Sequence, residues 1–363
     1  MKRLYILITN NISFDQRMHK IAETLSSDFD VCIIGSSTRR PPPLEQRCYK
    51  QQRIKTVFKA GKGFYIEYNF RLICTLFWRK PDVIYSVDLD TLLPATILSK
   101  ARNLPLIYDA HEYFTEVPEL QGRTFVQNIW RKIERYGIKQ ASICITVGTE
   151  LSKIYGSLYL KTFHTVRNVP ILQDAQNVDK PRSERKTILY QGAVNEGRGV
   201  EASIRAMQHL PHMQLIIAGG GPSLEACKNL TEKLELENIV FTGMLPPSQL
   251  KQYTKKAWLG LNLLEGESLN YYYSLANKFF DYTASLVPSV NMNFPEYSTL
   301  MSHHKVGLLI EPADISQLHK FILSLEQDEE RYFSMKKACQ QATKDWNWST
   351  EAVQLNRLVD RLR

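Results

Sequence analysis

The sequence predicts an α/β protein made of two doubly wound, Rossmann-like domains facing a cleft. At 363 residues the chain is too long for one ordinary hydrophobic core, so two domains are the expected division. Short apolar runs alternate with longer helical ones, which is the pattern of βαβ units around a parallel sheet. The alternation stops once, at the polar stretch 172–186, and then restarts, so that stretch reads as a linker.

In chain order, residues 4–9 form the first strand and 15–25 a helix, with Met18, Ile21, Ala22 and Leu25 near helical spacing. Met1-Lys2-Arg3 before this apolar run resembles the start of a signal peptide, but the run is short and lacks a small-residue cleavage site. Residues 31–35 are a second strand, and the three prolines 41–43 enforce a loop. A weaker strand is expected over 54–58, then a turn at Gly61 and Gly63, then an aromatic-rich helix to about Arg79. Strands follow at 82–86, 106–109 and 143–147, with helices at 88–98 and 126–138.

After the linker, strands are expected at 187–191, 214–218, 239–243, 257–264 and 306–310. Helices are expected at 199–210, 223–234, 247–254 and 315–326, with a short helix around Asn277 and a polar helical tail containing Trp346 and Trp348. The domains are then 1–171 and 187–348, joined by 172–186, with 349–363 as a C-terminal helix carrying Leu355, Leu358, Val359 and Leu362.

A hydrophobic content of 44% with 23% charged residues is that of a globular protein, and no apolar run approaches the ~20 residues of a membrane span. The six cysteines are scattered, with no Cys-x-x-Cys and no histidine at ligand spacing, which points to a reducing cytoplasm rather than to disulfides or zinc. The net charge of +9 is localised: between Arg39 and Lys80 eleven Lys and Arg face only Glu45 and Glu67, which equals the excess of the whole chain. Phe58, Phe64, Tyr65, Tyr68, Phe70, Phe77 and Trp78 are interleaved with these charges. That mixture suits a solvated face over a core-facing stripe, an anionic membrane surface, or nucleic acid. No nucleic-acid-binding module is visible, and a nucleic-acid partner is not expected.

Three segments after strands of the second half are placed to hold an anion. Gln191-Gly192-Ala193-Val194-Asn195-Glu196-Gly197-Arg198-Gly199 puts glycines and an arginine before a helix. Gly219-Gly220-Gly221-Pro222 follows a strand, with Ser223 as an N-cap. The third holds Asn277, Lys278 and Asp281 at i,i+3 and i,i+4 spacing, so the three can share a helix face. Glycines admit close approach of backbone N–H groups to phosphate, and Arg198 and Lys278 supply charge. Neither a Gly-x-Gly-x-x-Gly fingerprint nor a P-loop is present. In the first half, His111 ends a strand between Asp109 and Glu112, where a ligand is met in such sheets. No Ser-His-Asp elbow or His-Glu-x-x-His appears, Asp88-Leu89-Asp90 lies early in a strand-to-helix turn and is not read as a metal pair, and no metal or other cofactor is expected.

The segments Ile217-Ala218-Gly219-Gly220-Gly221-Pro222, Phe241-Thr242-Gly243 and Asn277-Lys278-Phe279-Phe280-Asp281-Tyr282-Thr283-Ala284 resemble the C-terminal half of glycosyltransferase family 4. Tyr108-Asp109-Ala110-His111-Glu112 and Asp15-Gln16-Arg17 are similar to that family's bacterial members. The resemblance implies a GT-B fold and metal-independent sugar transfer with retention. It implies that Asp281 holds the donor ribose, that Arg198 and Lys278 hold the diphosphate beside Gly192, Gly219 and Gly221, and that Leu245 meets the nucleobase. It also implies that His111 faces the transferred sugar. The family's first glutamate falls on Tyr273, for which Glu265 or Glu267 is the substitute. Ala193 stands where many members have arginine, and Asn10-Asn11-Ile12 replaces a Gly-Gly turn.

The expected function is therefore glycosyl transfer from a nucleoside-diphosphate sugar to a sugar or lipid-linked acceptor, in the cytoplasm and peripheral to the membrane. Asp15, Arg17, Lys55, Lys59 and Lys62 lie on the acceptor or membrane side. A nucleotide-sugar epimerase of the same fold and a non-catalytic nucleotide-sugar binder remain alternatives.

Overall fold

The computed structural model describes residues 1–37, 41–172, 186–265 and 268–362. The expected linker thus lies, apart from its first and last residues, outside the described residues, as does Glu267. The chain forms two compact units, one of Met1–Asn168 with Ser349–Arg363 and one of Val169–Trp348.

The first unit holds a parallel seven-stranded sheet. Its strands are β1 (Lys2–Asn11), β2 (Phe29–Ser36), β3 (Lys50–Ile54), β4 (Val83–Val87), β5 (Leu106–Ala110), β6 (Ile143–Thr146) and β7 (Phe163–Thr165), in the order β3-β2-β1-β4-β5-β6-β7. The second unit has β8 (Thr187–Gln191), β9 (Gln214–Ala218), β10 (Ile239–Gly243), β11 (Leu259–Asn262), β12 (Ser289–Met292) and β13 (Gly307–Ile310), in the order β10-β9-β8-β11-β12-β13. Both sheets wind outwards from a central pair, β1 with β4 and β8 with β11. Ligands of such sheets bind beyond the carboxyl ends of that pair, where the winding direction reverses.

The continuous apolar strands follow from burial on both faces: Leu4 to Ile8 and Leu106 to Tyr108 are all buried. The expected strand at 54–58 is corrected. The paired segment is Lys50–Ile54, in register with Cys32 to Ser36, and Val57 and Phe58 are exposed beyond it. Its Lys-Gln-Gln-Arg-Ile sequence carries little apolar signal because β3 is a sheet edge with a single neighbour. The helix Thr149–Tyr159, β7 and the helix Pro295–His303 were not anticipated. Ser223 precedes the helix Leu224–Lys233 but makes no side-chain capping bond.

The helix Trp348–Val359 buries Leu355 and Val359. Within the first unit Glu351 accepts bonds from the Arg167 N–H at 2.9 Å and from its Nη1 at 3.1 Å, and Arg361 donates to the Ser142 carbonyl at 3.1 Å.

One contact in the second unit places the helix Asn277–Ala284 over its central strands. Tyr282 donates its hydroxyl to the Leu189 carbonyl of β8 at 2.9 Å and lies 3.3 Å from the Leu261 carbonyl of β11. Its ring fills the space a Cβ at Gly260 would need, since that atom would come within 2.5 Å. Glycine in the middle of β11 is therefore what lets the helix dock there.

Candidate functional site

In the second unit the first two glycine segments form one interlocked turn. The Gly192 N–H donates to Ala218 at 3.0 Å, Val194 to Gly220 at 3.0 Å, and Ser223 back to Val194 at 3.0 Å. A Cβ on Gly219 would stand 1.8 Å from the Gly192 carbonyl oxygen, so no other residue fits. Gly192 itself has φ 127°, open only to glycine.

Lys278 points beneath this turn. It is 7% exposed, its Nζ sits 3.9 Å from the centroid of the Tyr190 ring, and that nitrogen has no hydrogen-bond partner among the described residues. Burial and then the positive charge of Arg198 pull its pKa down to about 7. Gly192 leaves room here, for a Cβ at that position would lie 3.7 Å from Nζ. Arg198 stacks its guanidinium 4.9 Å from the Tyr271 ring centroid, and its buried Nε is likewise unbonded. Among the described residues neither cation forms a salt bridge with a carboxylate, so two positive groups stand at the carboxyl ends of the central strands in an arrangement suited to an anion with several oxygens.

Asp281 accepts from Gln191 Nε2 at 3.0 Å, and Gln191 Oε1 in turn accepts from Thr254 at 2.8 Å. This chain holds the carboxylate at the helix flank. Gln191 was not singled out as a site residue, because the last residue of a strand carries no special signal. Asn277 is exposed whereas Lys278 is buried, so these two do not share the face that their spacing allowed. Leu245 packs partly against the core around Leu189 and Tyr282, and the neighbouring Met244 is exposed next to Gly220. The Glu265 N–H donates to the Gly197 carbonyl at 2.9 Å, beside the turn.

In the first unit the strand ends gather a charged network. Arg17 is buried, not on the surface: its Nη2 donates to both oxygens of Asp109 at 3.0 Å, its Nη1 to the Val166 carbonyl at 2.9 Å, and its Nε to His111 Nε2 at 3.0 Å. Asp109 is fully buried and also accepts from Tyr85 at 2.7 Å. Burial opposes its charge, yet Arg17 and then His111 hold it well below the usual carboxylate range. Asp88 adopts φ 56°, accepts the His111 N–H at 2.8 Å and lies 3.6 Å from His111 Nδ1. Burial pulls the His111 imidazole down, but Asp88 and Asp109 outweigh it and raise its pKa to about 9. Asp90, bonded by Thr9, is pushed up to about 7 by burial and then by Asp88. Asp15 caps the helix Gln16–Leu25 by accepting from Met18 at 3.0 Å.

Lys55, Lys59 and Lys62 are exposed, and Lys59 donates to the Thr56 and Ser37 carbonyls. The helix Gly61–Arg79 buries Tyr68, Leu72 and Leu76 and exposes Ile66, Phe70, Phe77 and Trp78, the last 81% exposed. Among the described residues no group of three His, Cys, Asp or Glu is arranged to hold a metal ion, and no helix is long and apolar enough to cross a membrane.

Two parallel, doubly wound α/β units with anion-ready strand ends define the class, the GT-B fold. A sucrose-phosphate synthase from Thermosynechococcus elongatus shares it, with a TM-score of 0.82 and 14% identity, over 100% of this chain and 99% of that one. Anabaena Alr3699/HepE, solved in complex with UDP-glucose, shares it with a TM-score of 0.79 and 14% identity, over 99% of this chain and 100% of that one. More particularly, residues 173–345 match the family model described as glycosyl transferases group 1. Alpha-monoglucosyldiacylglycerol synthase of Streptococcus pneumoniae (strain ATCC BAA-255 / R6) is 26% identical over 182 residues, 48% of this chain. The chain spans only 37% of the length of that relative. Together the structural matches show the GT-B fold, and the family match extends over residues 173–345.

Proposed function

We propose that the protein transfers a sugar from a nucleoside-diphosphate sugar to an acceptor, with its Val169–Trp348 unit as the donor site. The observation that carries this reading is Lys278, a buried lysine nitrogen without a hydrogen-bond partner among the described residues, set beneath a glycine turn and next to Arg198. A diphosphate satisfies both cations. It is also where charge develops as the glycosidic bond breaks, so the same groups stabilise the leaving group. Asp281, steadied by Gln191, holds the ribose hydroxyls, and Leu245 lies along the base. Glu265, anchored to Gly197 through its amide, takes the place of the family glutamate that Tyr273 replaces. The reaction proceeds with retention and without a metal, as in family 4, and His111 serves the transferred sugar.

The acceptor is a sugar or a lipid-linked polysaccharide precursor. Support comes from the exposed Ile66, Phe70, Phe77 and Trp78 beside Lys55, Lys59 and Lys62, a combination that favours an anionic membrane surface. The solved UDP-glucose complex of HepE makes UDP-sugars the first donors to try.

Calorimetry with a panel of sugar nucleotides tests the reading. One member of the panel binds, and Asp281→Ala lowers its affinity by tenfold or more. Unchanged affinity in that variant removes the ribose role. An altered sugar released from donor alone replaces transfer with epimerisation, and binding without turnover on any acceptor extract leaves a non-catalytic binder.

A further inference from the structure

The notable feature of the first unit is that one histidine edge has two suitors. His111 Nε2 lies 3.0 Å from Arg17 Nε and 3.2 Å from Asp109 Oδ2. A neutral ring with its lone pair on Nε2 accepts from Arg17. A charged ring has a proton there and donates to Asp109 instead. Arg17 itself has no freedom to turn away, because its Nη2 is bonded to both Asp109 oxygens and its Nη1 to the Val166 carbonyl. The guanidinium fork thus aims Nε–H at the ring from a fixed direction. On the opposite edge, Nδ1 faces Asp88 at 3.6 Å, and the backbone of Asp88 is held in the left-handed region at φ 56°.

We propose that Arg17 is a positioning residue for His111: by occupying the Nε2 edge it makes Nδ1, beside Asp88, the proton-bearing edge of the neutral ring. The strand ends of the first unit then present an N–H donor next to a carboxylate acceptor. That pair complements a hydroxyl group, which donates and accepts at once, and only the identity of the hydroxyl's owner rests on the glycosyl-transfer reading. The groups that face the ring are Asp88 at the start of the helix Asp88–Arg102, Asp109 on β5 and Arg17 on the helix Gln16–Leu25, with Tyr85 of β4 behind Asp109. Two carboxylates against one guanidinium favour the protonated ring, and the tautomer appears once that proton has left.

The test is nitrogen NMR of the histidine rings in the ligand-free full chain, followed through the titration of His111. Above its own pKa the His111 ring shows the Nδ1–H signature. In Arg17→Lys, which keeps a positive charge for Asp109 but has no fork, it changes to Nε2–H, the commoner form of a free imidazole. In Asp88→Asn, which leaves Arg17 in place, it stays Nδ1–H. A wild-type ring in the Nε2–H form overturns the proposal, and so does a change of tautomer in Asp88→Asn alone. In the transfer reaction Arg17→Lys lowers kcat by about tenfold and leaves KM for the donor within twofold. Because the tautomer is read without ligand, failure of every sugar nucleotide to bind counts against the donor site and not against this assignment.

Discussion

A lysine ammonium buried against a tyrosine ring is costly without an anion, and Lys278 makes that cost measurable. Its folded pKa of about 7 lies below the ordinary 10.5. Between those values the unfolded chain holds a proton that the folded chain has released, so this residue makes stability rise with pH across that window. Below about pH 7 the full penalty applies. Lys278→Met should therefore raise the melting temperature at pH 6, by a gain of about 1–2 kcal/mol, because an apolar side chain replaces an unpaired charge. The same substitution weakens nucleoside-diphosphate binding tenfold or more. In the wild type that affinity falls as pH rises from 7 to 9, since the diphosphate needs the protonated form, and in Lys278→Met the dependence disappears. A flat pH dependence in the wild type, or a variant less stable at pH 6, contradicts the anion role.

At the scale of single elements, legibility followed burial. Strands buried on both faces, such as β1, β5 and β8, announce themselves as continuous apolar runs. The edge strand β3 does not, and its Lys-Gln-Gln-Arg-Ile sequence led to an assignment four residues too late. The glycine turns were readable because their backbone needs leave glycine as the residue of choice, as the 1.8 Å clash at Gly219 shows. The Arg17–Asp109–His111 network was not readable as a network, because Arg17 stands 92 residues from Asp109 and meets it only through the sheet order. The helix Gly61–Arg79 is an intermediate case. Its basic, aromatic composition was plain in the sequence, but which rings face outwards needed the fold. Ile66, Phe70 and Phe77 repeat at helical spacing on the exposed side, with Trp78 beside them. Replacing these four by serine should cut binding to anionic phospholipid vesicles at least tenfold in a sedimentation assay, while melting temperature and nucleotide affinity hold. Retained vesicle binding removes this helix from the membrane role.

At the scale of the whole molecule, alternation and the single polar break were enough to anticipate two doubly wound sheets, but not the order of their strands. That order decides function, since it sets which strand ends meet at each reversal point. The first unit also depends on both ends of the chain, for Ser349–Arg363 belongs to it together with Met1–Asn168. Glu351 is the polar anchor of that return: its carboxylate, 2% exposed, pairs with the Arg167 guanidinium at 3.1 Å. The Arg167 Nε is already buried without a bond, so losing the carboxylate leaves a largely buried charge unpaired. Glu351→Ala is expected to cost about 3 kcal/mol. For a unit of this size that is a fall in melting temperature of roughly 6–12 °C. The residues proposed to hold the donor all belong to Val169–Trp348, so nucleotide affinity measured below the transition should change less than twofold. A loss of affinity as large as the loss of stability would show that the donor site depends on the first unit, and the assignment of donor binding to the second unit alone would fail.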